Sequence, residues 1–259
     1  MSETFFPGEA EWVTSHYYDV PNQTVEFCGD IAGKSVLDVG CGDMVTDFGL
    51  MVKNVHKLTG LDLDERNPDH ILRVIERLQR QQINPPGEHA SRITYLHYDG
   101  LTFPFADEEF DFVFSWSAFE HIGDVPRVLA EIRRVLQNDG RVFVQVFPWY
   151  HSYWGSHLSD YISEPYFHLK HLPDWTRAQL EIHFASRPDC SAAVETMYSP
   201  YITLNRYSAN RFYRDVVNAG FEVVKARILS YDLDLSQAPY VDFSDLVICG
   251  SKMLLRKKA

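Results

Sequence analysis

Cysteine, basic charge and long apolar runs are all scarce in this chain of 259 residues. The four cysteines, Cys28, Cys41, Cys190 and Cys249, are scattered without C-x-x-C spacing, which argues against a zinc site and a disulfide framework and leaves buried thiols. Twenty-four Lys and Arg face thirty-six Asp and Glu, a net charge of -12 that repels a phosphate backbone unless the charge is strongly segregated. The one basic cluster, LLRKK near the C-terminus, is short enough to be a solvated tail. A small-molecule or glycan substrate is therefore the expected partner, and nucleic acid is not. No stretch reaches the roughly 18 uncharged apolar residues of a membrane span, and MSETFFPGEAEW lacks the basic-then-apolar order of a secretion signal. A cytoplasmic location is expected.

What is present points to a folded α/β chain. Hydrophobic residues make up 45% and charged residues 23%, proportions of a globular protein with a large core. KSVLDVG, KLTGLDLD, RITYLHYD, FDFVFSW and RVFVQVFP read as five strands, with helical spacing between most of them. Asn67 and Pro68 open one helix; Asp124 and Pro126 open another, with Val128, Leu129, Ile132, Val135 and Leu136 on its face and NDG closing it. The alternation stops at Pro148. Residues 149–207 hold three of the five tryptophans and five of the eleven histidines with no sustained period, long for a loop. It resumes where Ser208 caps a helix, followed by strands FEVVKARIL and DLVICGSKMLL. Strands alternating with helices imply a mostly parallel sheet covered on both faces.

The turn after the first strand, Asp38-x-Gly40-x-Gly42, lets a backbone approach a ligand closely at a helix N-terminus. A dinucleotide fits it poorly. Met44 or Val45 stands where a third glycine belongs, and Asp43 would repel a pyrophosphate. Asp62 lies 20 residues beyond Gly42 at the end of the second strand, where an acid can accept from both ribose hydroxyls. Asp38 can orient the turn and place negative charge near a cationic guest; the alternative is that it only bonds backbone.

VLDVGCGD, the acid in GLDLDE, HYDGLTFPFADEEFDFVFSWSAFEHI and RVLQNDGRVFVQVFP, in that order over residues 34–148, resemble class I S-adenosylmethionine-dependent methyltransferases with a methyltransferase type 11-like domain. The resemblance implies a Rossmann-like, doubly wound, seven-stranded sheet with its last strand antiparallel and an insertion after the fifth strand. It implies a core over 34–148 and 208–257, with 149–207 as a substrate lid; within residues 1–33 the aromatic EWVTSHYYD is expected to cap the cofactor, a plain surface helix being the alternative. It also implies S-adenosylmethionine as cofactor, held by Asp38, Gly40, Cys41, Gly42, Asp62, Leu63, Asp99, Gly100 and Ser115. In that scheme Gly40 and Gly42 pass under the methionine, Asp62 binds the ribose, and Asp99 and Gly100 border the adenine.

A methyl sulfonium is already a good donor, so the protein mainly aligns the acceptor and excludes water; a hydroxyl acceptor also needs a base. His121 follows the fourth strand and is the first candidate, with Glu120 to orient it; shaping the pocket is the alternative role. His157 and His151 are rival bases. Quinone-methylating members of the family carry E-x-x-E-H with magnesium, whereas this chain has Ser117 at the first carboxylate, so a metal-independent site is expected unless residues such as Asp160 rebuild one. Tyr166 and Lys170 match a dehydrogenase Y-x-x-x-K, two residues that match easily by chance; Asn84-Pro85-Pro86 matches part of an amino-methylating signature but precedes the third strand and lacks the aromatic at Gly87, so it is read as a helix-ending loop. The aromatic insertion also resembles methyltransferases of surface-glycan and secondary-metabolite pathways, which implies O-methylation of a glycan or natural-product hydroxyl. The other classes are a nicotinamide oxidoreductase, a non-catalytic scaffold, and a cyclase that binds the cofactor without transferring its methyl group.

Overall fold

The apolar runs pair into a single sheet. In the computed structural model, which describes residues 8–67 and 69–258, they form β1 (Ser35–Val39), β2 (Lys57–Asp62), β3 (Ile93–His97), β4 (Phe110–Trp116), β5 (Leu136–Val146), β6 (Phe221–Leu229) and β7 (Gly250–Lys257). The order is β3-β2-β1-β4-β5-β7-β6, parallel except for β7, which runs antiparallel to β5 and β6. This is the doubly wound sheet expected, with the insertion between β5 and β6. Its order reverses between β1 and β4, where such sheets open a crevice at their carboxyl ends.

Both faces are covered, so the central strands carry apolar residues on both sides. The helices before the insertion are α1 (Glu9–Thr14), α2 (Val20–Cys28), α3 (Val45–Met51), α4 (His70–Arg80), α5 (Gly87–Ala90) and α6 (Val125–Val135). Val36, Phe112, Phe114 and Phe143 pack with residues of α2, α3 and α4. Leu37, Val113 and Val144 pack on the other face with Val128, Leu129 and Ile132 of α6. A π-helical turn, Ser15–Asp19, joins α1 to α2. It lies so close to α3 that a Cβ on Gly49 would fall 2.2 Å from the Tyr17 carbonyl oxygen.

Several element ends differ from the sequence reading. Helix α6 stops at Val135, and NDG lies inside β5 instead of closing the helix, because Leu136 already pairs with Phe110 across an irregular register. Helix α4 takes Asp69 as its N-cap residue; Asn67 accepts from the Asp69 N–H one step earlier, and Pro68 lies outside the described residues. The insertion is helical: α7 (Phe167–Lys170), α8 (Pro173–Phe184) and α9 (Cys190–Thr203) share a small core with Leu180, Phe184, Val194 and Tyr198. The chain then returns through α10 (Ala209–Asn218), capped by Ser208 as expected. In DLVICGSKMLL only the part from Gly250 is strand, since residues up to Val247 form α11 (Phe243–Val247). Among the described residues no helix is long and apolar enough to cross a membrane.

Candidate active site

The glycine turn leaves β1 in left-handed conformations, with φ of 79° at Gly40 and 53° at Gly42. A Cβ at Gly40 would also lie 2.3 Å from Ala118 Cβ, so glycine is required there twice over. Met44, where a third glycine would belong, adopts φ 66° as the N-cap residue of α3. Its side chain is fully buried beside Gly60, where any Cβ would come within 2.9 Å of Met44 Cε. The room that a small residue would give in the turn is thus provided by a glycine in β2.

Asp62, and not Asp38, ties this turn. Its Oδ2 accepts from Gly42 N at 2.8 Å and its Oδ1 from Asp64 N at 3.1 Å. Each oxygen keeps a second lone pair for a ligand. Asp38 is 2% exposed, and its Oδ1 has no partner among the described residues. Beside it, on the first turn of α3, Asp47 is buried with both oxygens unpartnered among the described residues. Burial, first of all, raises the pKa of both acids, and nearby carboxylates add to it. Asp47 escaped the sequence reading; its only signal was an acid inside the otherwise apolar TDFGLM.

Three cavities meet around Ser117. One of about 230 Å³ is lined by Gly40, Gly42, Asp62, Leu63, Tyr98 and Ile122, among others. A second of about 350 Å³ contains Asp38, Cys41, Asp43 and Thr46 under Trp12 and His16. The third, about 670 Å³, runs past Trp116, Glu120, His121, Gln145, His157 and Lys252. Trp12 and His16 stack at 3.8 Å. They are held over the cleft by Arg77 of α4, which pairs with Glu9 at 2.7 Å and with Asp43 and lies over the Trp12 ring. Asp43 therefore has a cation beside it, which weakens the repulsion expected of it.

Not every expected cofactor residue lines these cavities. Ser115 is buried with its hydroxyl donating to Val39 O; Ser117 faces the cleft instead. Asp99 is exposed, its Oδ1 accepting from Leu101 N and Thr102 N, and these backbone donors hold its carboxyl below the usual range. Tyr98 lines the cavity in its place, while Gly100 sits behind Leu63, whose Cδ2 is 3.1 Å from a Cβ built there.

After β4 the chain turns at Ser117, whose Oγ donates to Gln145 at 2.9 Å. Asn205, at the end of the insertion, binds the carbonyl of Ile122 at 2.8 Å and donates its N–H to Glu120 O, fixing the loop that carries Glu120 and His121. Glu120 is 3% exposed with both oxygens unpartnered among the described residues, and burial pushes it up to about 8. It does not orient His121 by a hydrogen bond, as the sequence suggested. His121 Nδ1 instead faces Thr203 Oγ1 at 3.4 Å, and that hydroxyl donates to Pro200 O. Burial lowers the pKa of His121. His157, its ring centroid 5.6 Å away, is pushed down to about 4 by the cleft walls and by His121, although it keeps an exposed edge where water limits the effect. The ligand atoms of Glu120, His121 and His157 lie within 4.8 Å of one another, the one such potential metal group among the described residues; His157, and not Asp160, completes it.

The remaining candidates lie apart. His151 lines none of the three cavities. Tyr166 is buried and Lys170 pairs with Glu164, so they form no dyad. Asn84 lies in the loop before α5.

Residues 37–144 match the family model described as a methyltransferase domain. The chain is similar to phosphoethanolamine N-methyltransferase 2 of Caenorhabditis elegans, 26% identical over 164 residues that cover 61% of this chain and 34% of that protein. It is also similar to 27-O-demethylrifamycin SV methyltransferase of Amycolatopsis mediterranei, 25% identical over 111 residues, 43% of this chain and 38% of that one. The match spans little more than a third of the length of these two relatives. Among solved structures, a SAM-dependent methyltransferase from Aquifex aeolicus shares the fold with a TM-score of 0.51, covering 97% of this chain and 98% of that one at 14% identity. Sequence match and sheet topology agree: residues 37–144 match a methyltransferase domain, and the sheet has the strand order of the class I methyltransferase fold, whose cofactor is S-adenosylmethionine.

Proposed function

We propose that the protein methylates a hydroxyl of a small molecule, glycan or natural product, with His121 as the base and no metal required. One observation carries this reading: His121 lines both the cavity at the glycine turn and the large aromatic cavity, so it stands where two ligands would meet. The cofactor fits the first two cavities by its chemistry. Asp38, which lines the second cavity with an unpartnered oxygen and has Asp47 buried beside it, suits a sulfonium or an ammonium, Asp62 has lone pairs for a ribose, and Leu63, Tyr98 and Ile122 offer an apolar slot for the adenine. Bound there, S-adenosylmethionine supplies an activated methyl group.

The chain supplies the proton chemistry and the positioning. Because the Thr203 hydroxyl donates to Pro200, it is an acceptor toward His121 Nδ1, which favours the proton on Nδ1 and leaves the Nε2 lone pair to take a proton from a hydroxyl. Burial keeps the ring neutral, as a base must be. His157 of the insertion and Trp12, both lining the large cavity, serve to exclude water. The test is His121→Ala: turnover falls roughly 10²–10⁴-fold while S-adenosylhomocysteine affinity by calorimetry stays the same. An unchanged rate would move the base to His157, and a product without a gained methyl group by mass spectrometry would favour the cyclase or scaffold reading.

A second reading rests on the Glu120, His121 and His157 group. Two imidazoles and a carboxylate suit a first-row transition metal better than magnesium. Loss of turnover on chelation, restored by added metal, would replace the free base with a metal ligand.

A further inference from the structure

One wall of the large cavity is not used by the chemistry above. Four residues stand in register across four strands: Trp116 of β4 beside Gln145 of β5, Gln145 beside Lys252 of β7, and Lys252 beside Arg227 of β6. All four line the cavity. Residues in register on neighbouring strands share a face, so Lys252 and Arg227 are two cations directly opposite each other, an arrangement that costs stability unless something offsets it.

The protein itself offsets little of it. Lys252 is 6% exposed, donates to Gln23 Oε1 and lies 5.0 Å from the centre of the Trp116 ring. An ammonium has three donors, and Gln23 takes one. The acid nearest Arg227 is Glu26 at 3.8 Å, and both side chains are half-exposed or more, a pair of small value. The same Glu26 is the carboxylate acting on Lys252. Among the described residues Glu120 is the one acid lining the cavity, and it bonds to neither cation. In a chain of net charge -12, this wall is a local reversal of sign.

We propose that Arg227 and Lys252 form an oxyanion subsite: the methyl acceptor carries a carboxylate or phosphate held by these two cations, with a flat body among Trp12, Trp116, Phe147 and Tyr231 and its hydroxyl toward His121. The assignment rests on the proposed function, since it places the acceptor in this cavity. It explains why a lysine is kept nearly buried inside the apolar GSKMLL, where a strand needs no charge, and why the other end of the row, Gln145 and Trp116, is uncharged. The acidic cluster at the glycine turn and this basic wall would then sort two ligands of opposite charge to opposite ends of one cleft.

The test is calorimetric titration of the protein saturated with S-adenosylhomocysteine, using 4-hydroxybenzoate, 4-hydroxyphenyl phosphate and the neutral 4-hydroxybenzyl alcohol. At least one anion binds about tenfold or more tightly than the alcohol, and which one does identifies the group. The double variant Arg227→Gln, Lys252→Met removes that difference, keeps its melting temperature within a few degrees, and binds S-adenosylhomocysteine as before. Equal affinity for all three probes, or binding of neither anion, overturns the subsite. So does a parallel loss of S-adenosylhomocysteine affinity in the variant, which would assign the cations to the cofactor's own carboxylate. Failure of the proposed function is distinct: the anions still discriminate, but His121→Ala leaves turnover unchanged or no methyl group is transferred.

Discussion

Glu120 offers the sharpest test of the site's electrostatics. It is 3% exposed, neither oxygen has a partner among the described residues, and burial moves it from its ordinary value of 4.5 to about 8. At 1.36 kcal/mol per unit, that difference corresponds to a span on the order of 5 kcal/mol. The folded protein holds this proton more tightly than the unfolded chain, so between those two values it binds more protons, and stability falls as pH rises through that window. Glu120→Gln keeps the shape and removes the titration. The variant should therefore match the parent near pH 5 and exceed it at pH 8.5 by about 2–5 kcal/mol, the lower figure allowing for water entering the cleft. For a chain of this size that is a gap of roughly 5–15 °C in melting temperature. Asp38 and Asp47 are raised in the same direction but are common to both proteins and cancel in the comparison. The assay is a thermal melt of both proteins across pH 5–9 in the presence of a chelator. Parallel curves would refute the reasoning, because they would mean that Glu120 is ionised in the fold and has a partner.

Two further changes probe the cleft and its cover. Asp62→Ala removes the acceptor for Gly42 N and Asp64 N, and S-adenosylhomocysteine should bind roughly 10- to 100-fold more weakly by calorimetry, a loss of about 1.4–2.8 kcal/mol; an unchanged Kd would exclude Asp62 from the cofactor site. Gly49→Ala puts a methyl group against the Tyr17 carbonyl and should force α3 from the π-helical turn at a cost of about 1–3 kcal/mol. A lowered melting temperature and earlier proteolytic cleavage within residues 8–28 are expected; an unaltered melt would show that the two segments do not touch.

The sequence carried the sheet because each strand is a short apolar run with turn residues at its ends, a local pattern that needs no tertiary context. VLDVG, FDFVFSW and FEVVKARIL announce β1, β4 and β6 in this way. The insertion was harder. In α8 and α9 the buried positions mix Thr176, Leu180, Phe184, Ala193, Val194, Tyr198 and Tyr201 while the apolar Ile182 and Ile202 are exposed, and α9 contains Pro200, so apolar spacing marks their helices poorly. The end of α6 was misjudged for a different reason: Leu136 suits a helix face by spacing, and only its pairing with Phe110 makes it strand.

The sequence by itself determined the alternating architecture, the glycine turn and the acid one strand away, because backbone conformation and hydrophobic period are written in neighbouring residues. Only the tertiary structure decided which side chains share a cavity. It brought Asp47 to Asp38 and Thr203 to His121, aligned Arg227 with Lys252 across two antiparallel strands, and withdrew Ser115 into the core. These relations depend on sheet register and on the burial that packing imposes, and residues far apart in the chain carry no local sign of either.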